Sequence, residues 1–341
     1  MAKYDVITIG SAIRDTYLFL DRGDALVIDN PKKELTRKKL IALEYGAKLD
    51  VLDSSVTVGG GGINSAVTFS RQGLKVASVI SIGEDDNAGA VHRVCRDEGI
   101  RTKFISSDSK SKTGFSILVV AGKKRDRVVM VERGANDNLE FPKRSSVNTK
   151  WFYTTSLSGY SWESVLKQIT KAVDNKGINW AWNPGSDQLE SGLRALGKYL
   201  KYCAVLLLNR DEALGLLASR RSKKIKDNPS ELLSSMLRFG PKSVVITDGS
   251  KGVYYSDGLR VIHMTADNSI KAKEKTGAGD SFGSGFISGL IIKADIEFAL
   301  DFGISNSESV IQHIGAHDGI LYKKDLKKLG KNSKHKLRKL L

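Results

Sequence analysis

One large α/β domain, with a mainly parallel sheet between two helical layers and a small β-rich lid, is the fold this sequence predicts. Three observations predict it. Short apolar, β-branched runs at 6–9, 76–82, 178–182, 205–208 and 244–247 alternate with segments of helical periodicity. Those runs are apolar nearly throughout, as strands covered on both faces are. The 341 residues are long for one compact domain and short for two full ones, which suits a single body carrying an insertion.

The elements follow in chain order. The opening MAKYDVITIG places Lys3 and Asp5 inside its short apolar stretch, so it reads as a first strand. A signal peptide would need a longer uncharged core, and no segment approaches the length of a membrane span. The expectation is a cytoplasmic protein. Helical patterns cover 64–72, 88–98, 162–173, 212–218, 230–238, 281–292 and 296–313. Two regions break the rhythm. Residues 17–58 are charged and punctuated by Gly23, Pro31 and Gly46, while 114–120 and 127–131 look like two strands joined by a polar turn at 121–126. Together, about 12–58 and 102–133 are expected to form the lid within a domain of residues 1–330. A lid of this kind excludes water from a site where hydrolysis would compete.

Charge and cysteine content bound the partners. Lys and Arg number 54 against 38 Asp and Glu, a formal net charge of +16. Basic residues crowd 323–339, and 331–341 reads as a basic tail. No aromatic residue follows Tyr322 to stack a base, so a solvated tail is preferred to a nucleic-acid surface. A basic surface also attracts ATP and phosphorylated metabolites. Cys95 and Cys203 lie in apolar-periodic segments without metal-ligand spacing, as in a reducing compartment.

The most informative segment is KTGAGDSF at 275–282. Gly277, Ala278 and Gly279 are small enough for backbone N–H groups to approach an anion, and they immediately precede a helix whose N-terminus carries partial positive charge. Asp280 sits at the start of that helix. A plain helix-start carboxylate is one reading; a base that takes the proton from an attacking hydroxyl is the other. The anion cradle beside it favours the base. Further along, Phe282, Phe286 and Leu290 form an apolar stripe, while Gly285 and Gly289 permit close packing.

TGAGD at 276–280 and GGGGIN at 59–64 resemble the two signatures of the ribokinase/PfkB family of carbohydrate kinases, in the family's order from about residue 4 to 325. No GxxxxGK[ST] P-loop is present. The resemblance implies a ribokinase-like three-layer α/β/α sandwich with a β lid, ATP as phosphoryl donor, Mg²⁺, Asp280 as base and the amides from Gly277 to Asp280 as anion hole. In many relatives a monovalent cation binds nearby. Here Glu274 stands where the family usually has aspartate, followed by Lys275, which puts K⁺ activation in question.

VLLLNRDE at 205–212 resembles the family's N-x-x-E element, in which Asn209 and Glu212 would organise Mg²⁺ and phosphate through water. A capping box made by the same two residues is the plain alternative. VVITDGSKG at 244–252 resembles T-x-G-x-x-G, with Thr247 and Gly249 toward the ATP phosphates and Gly252 shaping the turn. Asn306 on the last helix takes the family's adenine-side position. At the acceptor end, Asp15 would hold substrate hydroxyls, Gly59 and Gly60 would let the backbone approach a polyhydroxylated ring, and Asn64 would donate and accept hydrogen bonds.

The favoured activity is phosphoryl transfer to a hydroxyl of a pentose, hexose or related polyol. A nucleoside kinase is the second reading, with Tyr17, Phe19, Phe104 or Phe115 as a stacking wall. A phosphosugar kinase, using Arg14, Arg127 or Arg133, is the third. A non-catalytic ligand sensor or nucleic-acid-binding regulator on the same fold belongs to a different class, and Asp280 argues against it. The apolar segments 115–120 and 128–131 would allow a homodimer through the lid, and a monomer is equally admitted.

Overall fold

The computed structural model describes residues 3–21, 23–31, 39–121, 126–219, 227–328 and 334–340. Chain order begins with β1 (Tyr4–Ile9), β2 (Ile13–Leu20), β3 (Leu26–Asp29), β4 (Lys39–Ala42), β5 (Val51–Gly59) and α1 (Gly61–Arg71). It continues with β6 (Val76–Ile82), α2 (Asp86–Asp97), β7 (Ile105–Ser107), β8 (Gly114–Ala121), β9 (Asp126–Glu132), β10 (Thr149–Thr154) and α3 (Trp162–Lys176). Then come β11 (Asn179–Trp182), α4 (Ser186–Leu200), β12 (Val205–Asn209), α5 (Arg210–Ala218), α6 (Pro229–Leu237) and β13 (Val244–Thr247). The chain closes with β14 (Val253–Ser256), β15 (Val261–Met264), α7 (Ala278–Lys293), α8 (Ile296–Val310) and β16 (Leu337–Lys339).

Ten strands form the main sheet in the order β16-β15-β14-β13-β12-β11-β10-β1-β6-β7. From β13 to β7 every pairing is parallel. From β13 to β16 the strands alternate in direction. The apolar runs are apolar because both faces are covered. Leu206 and Leu208 enter one core with Ile7, Phe152 and Trp180. Val205 and Leu207 enter the other with Val6, Ile80 and Phe286. Successive side chains on a strand point to opposite faces, so a two-sided strand needs an unbroken apolar run.

The region expected to be a lid forms a second sheet, ordered β5-β2-β8-β9, with a separate β3–β4 ribbon. β2 pairs parallel with β8, and the register sets Asp15 opposite Ser116. The turn expected at 121–126 falls mostly on residues outside the described set.

Several elements differ from the sequence expectation. β10 and α4 escaped it. α4 carries Gly192 at φ 74°, a non-helical residue that throws its apolar period out of phase. α1 begins at Gly61 rather than Asn64, since glycine is a poor helix former and hides the start. The C-terminal stretch expected to be a solvated tail is corrected in its described part. Residues 337–339 add an edge strand to β15, and Lys334 pairs with Asp267 at 3.0 Å.

His335 anchors that stretch. Its Nδ1 lies 2.6 Å from Asp301 Oδ1 and its Nε2 3.0 Å from Glu308 Oε2, both on α8. Burial by itself would lower the imidazole pKa, but the bonds and charges of the two carboxylates outweigh it and hold the pKa at about 9. A histidine raised in the folded state contributes stability fully present below its unfolded pKa of about 6.5 and lost as pH rises through about 9. Thermal unfolding of the wild-type chain and His335→Gln from pH 6 to 10 should therefore show a gap that is widest at the acid end and closes near pH 10.

Candidate active site

The phosphate end is built by one glycine. Gly277 caps α7 in the left-handed region at φ 75°. A Cβ there would also stand 2.7 Å from the Ala316 Cβ. With Gly277 turning the chain, the first-turn amides of α7 point out of the helix without intrahelical acceptors. Gly279 is different, because a Cβ at that position meets no protein atom within 4 Å. It opens on space that a ligand can fill. Gly279 and Ala278 line a cleft of about 420 Å³ together with Thr247, Gly249 and Gly252. Two motifs separate in sequence, 244–252 and 275–282, thus meet at one cavity, beside Glu308.

Gly249 resembles Gly279 in having an open Cβ position, whereas a Cβ on Gly252 would stand 2.0 Å from the Met264 carbonyl oxygen. Gly252 therefore serves the turn and Gly249 the cleft. Asn306 does not belong to this cavity. It is fully buried, its Nδ2 donates to the Ser281 carbonyl at 2.8 Å, and its Oδ1 accepts from the Leu321 amide at 2.9 Å. Its carboxamide is consumed in tying α7, α8 and the chain beyond together, so the nucleotide-side expectation for it is withdrawn.

Asn209 and Glu212 form the reciprocal capping box at the start of α5. Asn209 Oδ1 accepts from the Glu212 amide at 2.8 Å, and Glu212 Oε2 accepts from the Asn209 amide at 2.8 Å. Burial raises the Glu212 pKa, countered in part by that amide. With Oε2 committed, the pair has few oxygens to offer a metal directly. No group of three or more His, Cys, Asp or Glu among the described residues could hold an ion. Such a donor set fits a hydrated Mg²⁺ carried mainly by phosphate oxygens, since Mg²⁺ keeps several waters.

Asp280 lies on the first turn of α7. Its Oδ2 accepts from Asn64 Nδ2 at 2.8 Å. Burial raises its pKa, and the Asn64 bond pulls part of that back. Asp15 sits in the seam where the chain leaves β1 for the second sheet. It is only 8% exposed and accepts a hydrogen bond from Ser116 Oγ. Burial pushes its pKa to about 6; the Ser116 bond opposes this, and the charges of Glu274 and Asp280 add to it. Gly59 is glycine because a Cβ would stand 2.1 Å from Asp15 Oδ2. Gly60, at φ 92°, gives room to the Ser11 carbonyl oxygen, its own chain rather than a ligand. Asp15, Gly59, Asn64 and Asp280 are therefore brought together, with Asn64 turned toward Asp280.

Sequence reasoning missed three participants. His317 Nε2 lies 2.9 Å from Asn64 Oδ1; the signal was a histidine directly after the Gly315-Ala316 turn. Ser116 was hidden in an apolar strand until the register paired it with Asp15. Glu274, noted only as a departure, is buried and accepts from the Thr276 amide at 2.7 and 2.8 Å. Arg127 of β9 meets the same carboxylate at 3.1 Å. That salt bridge joins the second sheet to the loop before α7.

Residues 30–321 match the pfkB family carbohydrate kinase. The chain belongs to that family. It is a phosphotransferase with an alcohol group as acceptor, a sugar or nucleoside kinase of the ribokinase group. It is 27% identical over 287 residues to a ribokinase of Haemophilus influenzae, covering 81% of this chain and 88% of the relative. Its fold superposes on Arabidopsis thaliana ribokinase complexed with ribose and ATP at a TM-score of 0.77, with 19% identity and 96% and 98% of the two chains covered. The nucleoside kinase of Methanocaldococcus jannaschii superposes at 0.76, with 18% identity and 96% and 98% covered. No helix among the described residues is long and apolar enough to cross a membrane.

The two loop glycines separate folding from function. Gly277→Ala should lower stability by about 1–3 kcal/mol through backbone strain and the Ala316 contact. Gly279→Ala should leave the unfolding midpoint unchanged or raise it, since alanine favours a helix. It should nonetheless lower turnover by about 10²-fold, the cost of displacing a reacting group by about 1 Å. Thermal melts and ADP-release rates on the two variants check this.

Proposed function

We propose that this kinase transfers the γ-phosphoryl group of ATP to a hydroxyl of a small sugar, a pentose, hexose or related polyol. Asp280 acts as general base and the Gly277–Gly279 backbone as anion hole. One observation carries the reading: the Asp280 carboxylate shares the first turn of α7 with the Gly279 backbone that opens on the nucleotide cleft. Asp280 takes the proton from the acceptor hydroxyl as its oxygen forms the new bond to the γ-phosphorus. The bond from that phosphorus to the β–γ bridging oxygen breaks, and ADP leaves. First-turn amides of α7 face the negative charge spread over the transferring group. A pKa raised by burial suits a base that works near neutral pH.

Mg²⁺, held through water by Asn209 and Glu212, would supply charge neutralisation on the phosphates. K⁺ is not part of this proposal, because the Glu274 carboxylate already faces the Arg127 guanidinium. The second sheet serves as the lid. Exposed valines on it, Val56 on β5 and Val128 and Val131 on β9, are where a homodimer through the lid would pair. A cytoplasmic setting suits the two buried free thiols, Cys95 and Cys203.

A compact polyol is favoured over a nucleoside because two residues of the expected stacking wall, Tyr17 and Phe104, are spent in packing. Tyr17 is fully buried in a cluster with Leu118 and Val120. Phe104 packs edge-on against Tyr4 at 5.9 Å. A phosphosugar is less favoured because two of its three candidate arginines are engaged, Arg127 with Glu274 and Arg133 with Asp187, which leaves Arg14.

Asp280→Asn should retain ATP binding and lose turnover by about 10²–10⁴-fold. Coupled ADP release, screened over sugars, nucleosides and sugar phosphates, measures it. Near-normal turnover in that variant would refute the assignment of the base, and a nucleoside as the preferred acceptor would replace the sugar reading.

A further inference from the structure

We propose that His317 is a positioning residue for the general base, holding the Asn64 carboxamide in the one orientation that presents its N–H to Asp280. The inference rests on the assignment of Asp280 as base.

The argument starts from acceptors and donors. An ionised carboxylate only accepts, so the Asn64 atom 2.8 Å from Asp280 Oδ2 is the amide nitrogen. The opposite end of the carboxamide is then its oxygen, which also only accepts. The His317 Nε2 that lies 2.9 Å from it must therefore carry a proton. A line of two hydrogen bonds runs from the imidazole through the amide to the base. Without the imidazole, the carboxylate alone selects that orientation, and the amide oxygen loses the donor that holds it in place.

The ring does this without adding charge. Burial lowers the His317 pKa to about 4, with the nearby Arg71 charge adding to the effect. The imidazole is neutral in the physiological range, so it orients the amide without acidifying the base. Arg71 also fixes the histidine's backbone, donating from Nη1 to the His317 carbonyl at 2.6 Å. The guanidinium is held in turn by Glu98 at 2.6 Å. Around the carboxylate, Asn64 comes from α1, Asp15 from β2 and the Tyr153 hydroxyl from β10. Of these, Asn64 alone donates to the carboxylate and lowers its pKa. Loss of its correct orientation moves the pKa further up.

Two measurements test the assignment. In the full chain labelled with ¹⁵N-histidine, His317→Gln identifies the His317 imidazole signals. They should report a neutral Nε2–H tautomer from pH 6 to 8; the Nδ1–H tautomer or a cation in that range overturns the proposal, whatever the acceptor. Kinetically, His317→Leu should lower kcat about tenfold with KM for ATP unchanged and shift the acidic limb of kcat/KM to higher pH. His317→Gln, which keeps an N–H donor, should restore most of both. Equal losses in the two variants, or an unmoved acidic limb in the leucine variant, overturn it. Should the leucine variant fail to fold, the tautomer decides alone. Asp280→Asn assayed in parallel separates the two ideas. If it stays active, the base is wrong; if it is inactive while the leucine variant is normal, only the role of His317 falls.

Discussion

A helix N-terminus and a half-buried carboxylate on the same helical turn are the constraint around which this molecule is organised. The first turn of α7 offers donors that the helix cannot satisfy, and Asp280 occupies that turn with a charge that burial disfavours. Each makes the other tolerable, since a negative group near a helix N-terminus is stabilised by the helix dipole. The same field that holds Asp280 favours an incoming phosphate. A turn that tolerates one negative group at rest is thereby suited to a second beside it.

Holding that turn in place requires the helix to be fixed along its whole length. α7 does this with missing side chains. A Cβ on Gly283 would stand 2.2 Å from the Tyr153 hydroxyl, and one on Gly289 would stand 2.6 Å from the Ala299 Cα. These absences let the helix sit against the sheet on one side and α8 on the other. Asn306 then ties the backbone of α7 to the chain after α8 through two hydrogen bonds. The buried amide looked like a ligand contact in sequence and proved to be a strut. A fully satisfied buried polar group specifies position well, because any shift leaves it unsatisfied.

Much of this was legible from residue patterns, for definable reasons. Two-sided strands write themselves as unbroken apolar runs, so 76–82 and 205–208 were readable at once. The glycine cradle at 277–279 was readable because small residues before a helix have few other uses. α4 was not, because Gly192 interrupts its period. The basic C-terminus was not, because its strand depends on two carboxylates of α8 that lie far off in sequence and meet His335 only in the fold. Asp15 stood out in the sequence, but Ser116 and His317 did not, because their contacts are set by strand register and by a turn. The partners of Asn64 within the protein, Asp280 and His317, were not legible. A carboxamide in a signature motif announces hydrogen bonding, and only the fold says to what.

Glu274 shows how the second sheet and the phosphate loop come to act as one unit. Its side chain is 3% exposed, and a carboxylate so placed is costly unless its oxygens are occupied. Thr276 supplies bonds from its amide and hydroxyl, which curl the loop just before Gly277. Arg127 supplies the opposite charge from β9. The loop's curvature and the position of the second sheet are therefore settled by the same carboxylate. Withdrawing β9 would take the guanidinium away from that carboxylate. Any movement of the sheet away from the main body is thus coupled to the turn that begins α7.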